Sequence, residues 1–486
     1  MGRAVIIGSG LGGLECGLIL ARSGWSVTIL EQGAQIGGCL QSYSRRGTRF
    51  DTGFHHVGGL GEGESLHGVF ESLGLMDLPW VRMDSDCVDE IVIGSRTFRM
   101  PQGYARVEEY LISEFPGEAD GIRRYVQAIK AITDGIEDIM LPSHDISATG
   151  VSAYGFLHET FHDELLIRLL SSMTSRMQYD AEMTPLYEYA QITGSFMQSG
   201  WRLRGTGEMV AEKLARQTEA LGGQILTGCR AVAVEAAAGP AVRVTAADGR
   251  VFEGDACISD AHPAVTMGLI GETGKKFSGR RICSLRDSRG ALTVSIRLKG
   301  GMVPYVNHSI FIHPSDVDTW HGTGSAPSVL VSFGVPSEGR FARTVDLMTE
   351  ADFKDFEAWE GTSVGRRGED YVACKERLAA RCIDVAAQRI EGLRVAIDGA
   401  YVSTPLTYRD YTLTRNGSAF GFMKDCRSPM TTFLSPKTPM ENLFMTGQSL
   451  NLHGMLGVSL TALYTCAEIL GAETVRREAG LERRKF

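Results

Sequence analysis

A glycine-rich motif near the N-terminus is the strongest candidate for chemistry in this 486-residue sequence. A short apolar run at 4–7 leads into glycines with the spacing Gly-x-Gly-x-x-Gly, at Gly8, Gly10 and Gly13. These glycines permit a tight turn, let the backbone approach a pyrophosphate and let a following helix pack close to the strand. The N-terminus of that helix then faces the phosphates. The motif predicts a βαβ unit that binds a dinucleotide.

The carboxylate that follows this unit narrows the choice of ligand. A helical segment and a second apolar run come after the glycines, and the run ends at Glu31. A carboxylate there can accept hydrogen bonds from both ribose hydroxyls, and with no adjacent arginine it disfavours a ribose 2′-phosphate. The alternative, an ordinary glycine-rich turn, is weaker because strand, helix and carboxylate all stand where the motif needs them. We expect NAD or FAD.

Two further glycine-rich loops favour FAD. Gly37 and Gly38 stand in the first, and residues 50–59 form the second, which carries His55 and His56. A pyridine-nucleotide dehydrogenase has no evident use for these loops, whereas an extended cofactor with a flavin ring far from its adenine does. Both histidines are candidates to face the flavin or to supply a proton. The alternative is a histidine hydrogen-bonded to loop backbone, which we expect for at least one of them.

The elements that must position these residues follow from hydrophobic periodicity. Residues 66–201 are predicted to be largely helical, with helices at 107–115, 119–140 and 165–177. The next predictions are a helix at 208–221, a strand at 224–235, a hairpin at 242–249 and a return of the chain to the nucleotide domain at 256–263. After these we expect strands at 291–298, 309–313 and 328–333, helices at 352–359 and 370–390, a strand at 442–445, and an apolar helix from about 456 to 471.

This order predicts an α/β protein with two interleaved domains. The first is a discontinuous Rossmann-like, glutathione-reductase-like FAD-binding domain, and the second is a substrate-binding domain of mixed sheet and helices. The FAD-binding domain is assigned to 1–65, 203–265 and 415–486, and the substrate-binding domain to 66–202, largely helical, and 266–414.

Four stretches resemble the FAD-dependent amine-oxidase-like superfamily, and within it the branch of carotenoid desaturases, carotenoid isomerases and retinol saturases. They are 8–13 with Glu31, then 37–38, 50–58, and 443–448 with 454–457. Three positions depart from the superfamily pattern: Cys39 where a basic residue is frequent, Gln448 where a carboxylate is frequent, and His453 where a proline is expected.

The resemblance implies FAD as the cofactor. A helix beginning near Leu456 would aim its free N–H groups at the flavin, where negative charge accumulates on reduction. The residues expected to contact FAD are Gly8, Gly10, Leu11, Gly12, Gly13, Glu31, Gln32, Gly37, Gly38, Val232, Gly447, Gln448, Gly454, Met455, Leu456 and Gly457.

The resemblance also implies an FAD-dependent oxidoreductase that acts on a carbon–carbon double bond of an apolar polyene or isoprenoid lipid. Hydride exchange with flavin N5 would serve a saturase, a desaturase or an isomerase, and the three stay open. No second Gly-x-Gly-x-x-Gly follows a strand, so we expect an external electron donor or acceptor. The alternatives are an amine-oxidase-like or protoporphyrinogen-oxidase-like flavoenzyme, and a non-enzymatic prenyl-lipid carrier of the same fold.

An aromatic cluster in the second half of the chain could line an apolar tunnel, although core packing explains it equally well. The cluster comprises Tyr401, Tyr408, Tyr411, Phe420 and Phe422.

Net charge, cysteine content and one histidine pattern indicate which other partners, locations and metals to expect. A net charge of −9 argues against nucleic acid. Ten cysteines occur without a Cys-x-x-Cys pair, and we recognise no signal peptide, so we expect a cytoplasmic protein with reduced thiols. A lipid substrate implies access to a bilayer, and we expect peripheral membrane contact through the helical region. His158 and His162 match the His-Glu-x-x-His zinc pattern, but we interpret this match as chance and expect no metal.

Overall fold

A parallel sheet assembled from distant parts of the chain organises the computed structural model, which describes residues 2–134, 146–237, 239 and 241–478. Strands are numbered in chain order. In spatial order the sheet contains β10 (Gln224–Leu226), β2 (Ser26–Leu30), β1 (Arg3–Ile7), β14 (Ala256–Ser259) and β20 (Leu443–Met445). All four pairings are parallel, so the carboxyl ends of the strands share one edge.

The sheet is parallel because helices connect and cover its strands. β1 is buried from Ala4 to Ile7, and β2 is buried at Val27, Ile29 and Leu30. The helices of the described chain are α1 (Leu11–Arg22), α2 (His67–Ser72), α3 (Tyr104–Glu114), α4 (Ala119–Asp134), α5 (Ala153–Thr160), α6 (Glu164–Leu170), α7 (Leu186–Gln198), α8 (Glu208–Ala220), α9 (Pro263–Leu269), α10 (Gly271–Gly274), α11 (Phe277–Ser284), α12 (Glu369–Ala387), α13 (Leu393–Ala396), α14 (Pro405–Thr412), α15 (Pro429–Thr432), α16 (Gly454–Leu470) and α17 (Ala472–Glu478). α1 packs against both α8 and α16, which buries the apolar final helix.

A seven-stranded mixed sheet forms the second layer. Its spatial order is β19 (Ile397–Ser403), β15 (Gly290–Leu298), β18 (Thr344–Ala351), β17 (Val329–Phe333), β16 (Ser309–His313), β7 (Asp89–Ile93) and β8 (Arg96–Met100). β16 and β7 are parallel, and the other pairs are antiparallel. α12 covers one face of this sheet.

Three smaller sheets complete the strand inventory. β3 (Ser42–Arg45) pairs with β4 (Thr48–Asp51), β9 (Gly200–Leu203) lies between β5 (Val57–Gly58) and β6 (Trp80–Arg82), and β12 (Val242–Ala246) lies between β11 (Ala231–Ala236) and β13 (Val251–Gly254). Short 3₁₀ helices lie at Gly38–Leu40, Pro116–Glu118, Ser147–Gly150, Phe353–Trp359 and Arg415–Gly417.

The predicted α/β class is confirmed. Each of the three pieces assigned to the FAD-binding domain contributes a strand to the parallel sheet, while the domain boundaries themselves stay a prediction. Among the described residues, no helix combines the length and the apolar character that crossing a bilayer requires.

Two expectations about single elements are wrong. The single strand expected at 224–235 is two strands in different sheets, because Gly228 turns the chain between them with φ +64°. The helix expected at 165–177 ends at Leu170, and Ser175 has φ +66°. Residues 66–201 are largely helical as predicted, and they also contribute β6, β7 and β8. Residues 135–140 of the predicted helix 119–140 lie outside the described residues.

Candidate active site

Polar and glycine residues gather at the carboxyl edge of the parallel sheet. Gly8 follows β1, Glu31 follows β2, Asp260 follows β14 and Thr446 follows β20. Parallel strands bring these positions together although they lie far apart in sequence, and ligands of open α/β sheets bind in this crevice.

The first turn has the geometry that the glycine motif predicts. Gly8 has φ +100°, a conformation that favours glycine. A Cβ on Gly13 would overlap the carbonyl oxygen of Gly8, so glycine is required for the close approach of α1 to β1. Gly10 caps α1 without a side chain, and no hydrogen bond within the described chain engages the N–H groups of Leu11 and Gly12. These two donors are available to an anion.

Glu31 is held in place at the same edge. One carboxylate oxygen accepts hydrogen bonds from the Ser9 backbone N–H (3.1 Å) and the Ser9 hydroxyl (2.6 Å), and the other accepts from the Gly33 N–H (2.7 Å). The side chain lines the cavity described below. A fixed carboxylate with unused lone pairs suits the ribose hydroxyls expected there.

A second helix N-terminus opens beside the first. Gly447 and Gly454 have φ +96° and +71°, and α16 begins at Gly454, two residues before the predicted start. His453 caps the helix without a side-chain hydrogen bond. A Cβ on Gly457 would overlap the backbone of Leu452, so glycine allows the chain to fold back tightly here. The positive ends of α1 and α16 therefore serve one site.

One cavity of about 400 Å³ connects both helix N-termini with the mixed sheet. Its glycine-rich end includes Glu31. Apolar side chains from the mixed sheet and from α7 line another part of the wall, namely Ala291, Leu330, Met348, Ile192 and Phe196. The cavity thus joins a dinucleotide-type site to an apolar compartment.

Asp260 is a carboxylate at this site that the glycine motif did not predict. It is half-buried in the cavity wall. Its removal from bulk water raises its pKa to about 7, although N–H groups of Gly13 and Gly10 donate hydrogen bonds that favour the ionised form. A Cβ on Gly10 would overlap this carboxylate, and one on Gly12 would lie 2.9 Å from its Oδ1. The glycines therefore also make room for Asp260. A protonated Asp260 is compatible with a neighbouring phosphate.

His55 lies in the cavity wall against a second missed carboxylate. Its Nε2 is 3.4 Å from Oδ2 of Asp346 on β18, and both side chains are largely buried. Asp51 is a third acidic neighbour, and burial raises its pKa to about 7 while His55 lowers it. Within the described chain no hydrogen bond engages Nδ1 of His55, so this atom can face a ligand.

His56 has a different environment. Its Nε2 accepts a hydrogen bond from Nε of Arg176 (2.8 Å), and its Nδ1 lies 3.4 Å from the Ser309 hydroxyl. Both terminal nitrogens of Arg176 bind Asp89 at 2.6 Å. Burial, and then Arg176, hold the pKa of His56 well below its usual range. Because a guanidinium can only donate, Nε2 carries no proton and His56 is a poor acid.

The predicted cofactor residues fall mostly on this cavity. Residues lining it are Gly8, Gly10, Leu11, Gly12, Glu31, Gln32, Gly37, Gly38, Gly447, Gln448, Gly454, Met455, Leu456 and Gly457. Gly13 lies behind the turn and packs on Gly8. Val232 is 46% exposed and lies outside the cavity, because side chains alternate along β11 and its neighbour Ala231 is the one that lines it.

The aromatic cluster divides between cavity and core. Tyr408, Tyr411 and Phe420 line the cavity. Tyr401 instead packs edge-on against Phe50, and Phe422 packs against the ring of His262. The hypothesis of a lined tunnel therefore holds for three of the five residues.

The zinc-like pattern does not form a helical pair. α5 ends at Thr160, before His162, and Nδ1 of His158 lies 2.9 Å from the carbonyl oxygen of Tyr154. Across the described residues, no group of three potential metal ligands is assembled.

The site fits FAD. Two helix N-termini without a side-chain cap, a glycine cradle and a fixed carboxylate lie at one sheet edge and match the phosphates and ribose of a dinucleotide. The adjoining apolar compartment matches a substrate at the flavin ring. Fold and site together define an FAD-dependent oxidoreductase. The chain belongs to the family of flavin containing amine oxidoreductases, whose family model matches residues 11–266.

Comparisons with individual proteins extend along the chain. It is 24% identical over 526 residues to the human all-trans-retinol 13,14-reductase, covering 96% of this chain and 85% of that protein. It is 23% identical over 520 residues to a phytoene desaturase (neurosporene-forming) of Cereibacter sphaeroides, covering 98% and 96%. The solved cyclohexylamine oxidase from Brevibacterium oxydans has the same fold, with a TM-score of 0.64, 14% identity and coverage of 99% and 100%.

Proposed function

We propose that this oxidoreductase saturates a carbon–carbon double bond in an apolar polyene or isoprenoid lipid. The observation that carries the proposal is the single cavity, in which the dinucleotide-type end continues into an apolar wall with His55 beside Asp346. The similarity to a retinol reductase over 96% of the chain supports both the substrate class and the direction. An apolar wall suits a hydrocarbon chain because burying apolar surface is favourable.

The protein's own residues divide the chemistry between them. FAD, when bound, supplies hydride exchange with a substrate carbon. The N–H groups at the start of α16 stabilise negative charge in the site. His55 donates a proton from Nδ1 to the neighbouring carbon, while Asp346 keeps the ring oriented through Nε2. One hydride and one proton then complete the addition of two hydrogens across the double bond.

Regeneration of the site requires a second partner. Each saturation consumes two electrons, and the sequence carries one dinucleotide motif rather than two. We propose an external electron donor of the pyridine-nucleotide or reductase class. In the opposite direction an acceptor would be needed, and a redox-neutral isomerisation would need neither.

An amine oxidase with a lysine–water arrangement is less well supported. Lys424 is a buried lysine near this region, and its ammonium donates to three backbone carbonyls, those of Thr432, Ser449 and Leu450. Burial lowers the pKa of Lys424 to about 7. With three donors engaged, this group has none left for a water, and it does not line the cavity.

A lipid carrier without cofactor is also less well supported. Such a protein would have no need for the open N–H groups of Leu11 and Gly12, or for a carboxylate fixed by Ser9 and Gly33. Retention of FAD by the purified protein separates this alternative from an enzyme.

Product analysis tests the proposal. The FAD-loaded protein, reduced chemically under anaerobic conditions, is mixed with all-trans-retinol as a probe polyene, and the products are separated and weighed by mass spectrometry. We expect a product heavier by two hydrogens. When both the reduction of the protein and the reaction run in deuterated water, the product should carry two carbon-bound deuteriums, because both added hydrogens then come from solvent. A lighter product obtained with oxidised protein, or an isomer of unchanged mass, would contradict saturation.

A further inference from the structure

A basic segment stands beside the cavity in an otherwise acidic protein. Residues 271–286 contain five lysines and arginines and one glutamate, whereas the net charge of the whole chain is −9. Within the described residues, no ion pair engages Lys276, Arg280 or Arg281. These side chains therefore present uncompensated positive charge to the solvent.

An exposed aromatic ring lies among these charges. Phe277, the first residue of α11, is 77% exposed, although a phenylalanine is normally among the more buried residue types. α11 anchors itself through its other face, where Gly279 and Ile282 are buried. The helix thus presents one apolar ring and several cationic side chains to solvent while its opposite face is packed against the protein. This pattern is typical of an interfacial helix.

This helix is attached to the cavity through α9. α9 packs against α11, and its residues Val265 and Leu269 line the cavity wall. His262, which caps α9, also lines the cavity, and its Nε2 lies 3.3 Å from Asp287, just beyond α11. The basic helix is therefore separated from the cavity by a single short helix.

A second connection ties α11 to the rim of the cavity. Arg415 donates hydrogen bonds to the carbonyl oxygens of Cys283 and Leu285 at the end of α11. The residues just before Arg415, among them Leu413, line the cavity, as does Tyr411, which is 60% exposed. A residue that is both exposed and in the cavity wall marks the mouth. The mouth and the basic helix are thus joined directly.

We propose that Lys276, Phe277, Arg280 and Arg281, here called the α11 surface, dock on an anionic lipid bilayer. Docking would place Phe277 at the level of the headgroups and turn the mouth at Tyr411 towards the lipid. The reason for such docking rests on the proposed function. An apolar substrate passes from a bilayer into the cavity more favourably when it does not have to cross water. This docking relocates the expected peripheral contact from residues 66–202 to α11.

Charge and shape favour a bilayer over other anionic partners. Anionic lipids attract clustered lysines and arginines, and a single protruding aromatic ring inserts among headgroups without requiring a matching pocket. An acidic protein would need such a pocket for Phe277, and a nucleic acid would have to approach a chain with a net charge of −9.

Co-sedimentation of the FAD-loaded protein with vesicles tests the α11 surface. The probes are vesicles of phosphatidylcholine alone and of phosphatidylcholine with a minor fraction of phosphatidylglycerol, both without polyene. We expect binding to the anionic vesicles that weakens with added salt, and much weaker binding to the neutral ones. Phe277→Ser should weaken binding roughly tenfold. The double substitution Arg280→Gln and Arg281→Gln should weaken it about fivefold for each charge removed.

Val395→Ser is the matched control. Val395 is 62% exposed on α13, which packs against α12 rather than against the cavity helices. Its substitution should leave vesicle binding unchanged. Retained FAD absorbance shows that each variant is folded, and Lys276→Gln replaces any variant that loses FAD. No binding of the wild type to anionic vesicles would overturn the inference, and so would binding that the α11 substitutions do not affect. A protein that binds vesicles through α11 but does not alter a polyene would keep this inference and overturn the proposed function.

Discussion

Nε of Arg176 donates a hydrogen bond of 2.8 Å to Nε2 of His56, and this contact separates the roles of two adjacent histidines. A ring nitrogen that accepts from a guanidinium holds no proton to give. His55, one residue earlier, has no such donor and instead faces Asp346. His55 can therefore serve as a proton donor, whereas Nε2 of His56 cannot, although both residues line the same cavity.

His55→Gln should slow the oxidation of reduced flavin by a polyene roughly 10²- to 10⁴-fold, the range that general acid catalysis contributes. FAD binding should persist, because the residues at the helix N-termini are unchanged. Rapid mixing of the reduced protein with polyene measures the rate. His321→Gln is the control, since His321 pairs with Asp318 in a histidine–carboxylate contact that is 55% exposed and outside the cavity. An unchanged rate in His55→Gln would remove His55 from the mechanism.

Asp346 should act through His55 as a positioning residue. Asp346→Asn keeps the size of the side chain but removes the charge beside Nε2, 3.4 Å away. We expect a smaller loss of rate than in His55→Gln and a displaced pH profile of the same reaction. A loss of rate with an unmoved pH profile would indicate a purely structural contribution.

Arg176→Met should destabilise the protein by about 3–5 kcal/mol, because it leaves the buried carboxylate of Asp89 without its partner. Urea unfolding measures the loss. Replacing both partners, as in Arg176→Met with Asp89→Leu, should recover much of it, since no buried charge remains. The control Arg243→Met breaks an exposed pair with Glu253 and should cost less than about 1 kcal/mol. Equal losses of unfolding free energy in Arg176→Met and Arg243→Met would show that burial does not set the cost of breaking the ion pair.

Gly10→Ala should weaken FAD binding strongly, because a Cβ there would overlap the Asp260 carboxylate at the turn. Flavin fluorescence during titration of the apoprotein measures affinity. Gly268→Ala is the control: no atom lies within 4 Å of a Cβ at that position, and alanine favours the helix by about 1 kcal/mol. Normal affinity in Gly10→Ala would show that the turn tolerates a side chain.

Asp260 should make the free energy of unfolding depend on pH. Its pKa is raised from 3.8 to about 7 in the folded protein, so the protonated group contributes stability that is fully present below about pH 4 and is lost as pH rises through 7. Between pH 4 and pH 7 the free energy of unfolding of the wild type should therefore fall relative to that of Asp260→Asn, by at most about 1.4 kcal/mol per pH unit. Burial, with a smaller contribution from Asp260, raises the pKa of Glu15 to about 8, so both proteins carry Glu15→Gln in this comparison. A difference that is constant with pH would contradict a protonated Asp260.

The part of the site that is predictable from the sequence lies within local motifs. Gly8, Gly10 and Glu31 belong to one βαβ unit, so their roles follow from spacing alone. Asp260 directly follows a buried strand, which is a usable signal, but its meeting with Gly10 depends on β14 pairing with β1, and strand order is not a local property.

The remaining residues depend on contacts between distant segments. Asp346 reaches His55 only because β18 lies in the mixed sheet, and Arg176 reaches His56 from a loop that the sequence pattern extended as a helix. Val232 lies outside the cavity for a simpler reason, since a displacement of one residue along a strand moves a side chain to the opposite face.

The most direct measurement of the proposed function follows flavin absorbance without oxygen. The FAD-loaded protein, in its reduced and oxidised forms, is mixed with all-trans-retinol and with a carotene. We predict that a polyene restores the absorbance of oxidised flavin to the reduced protein and leaves the oxidised protein unchanged. Bleaching of the oxidised protein by the lipid, or no spectral change in either form, would contradict saturation.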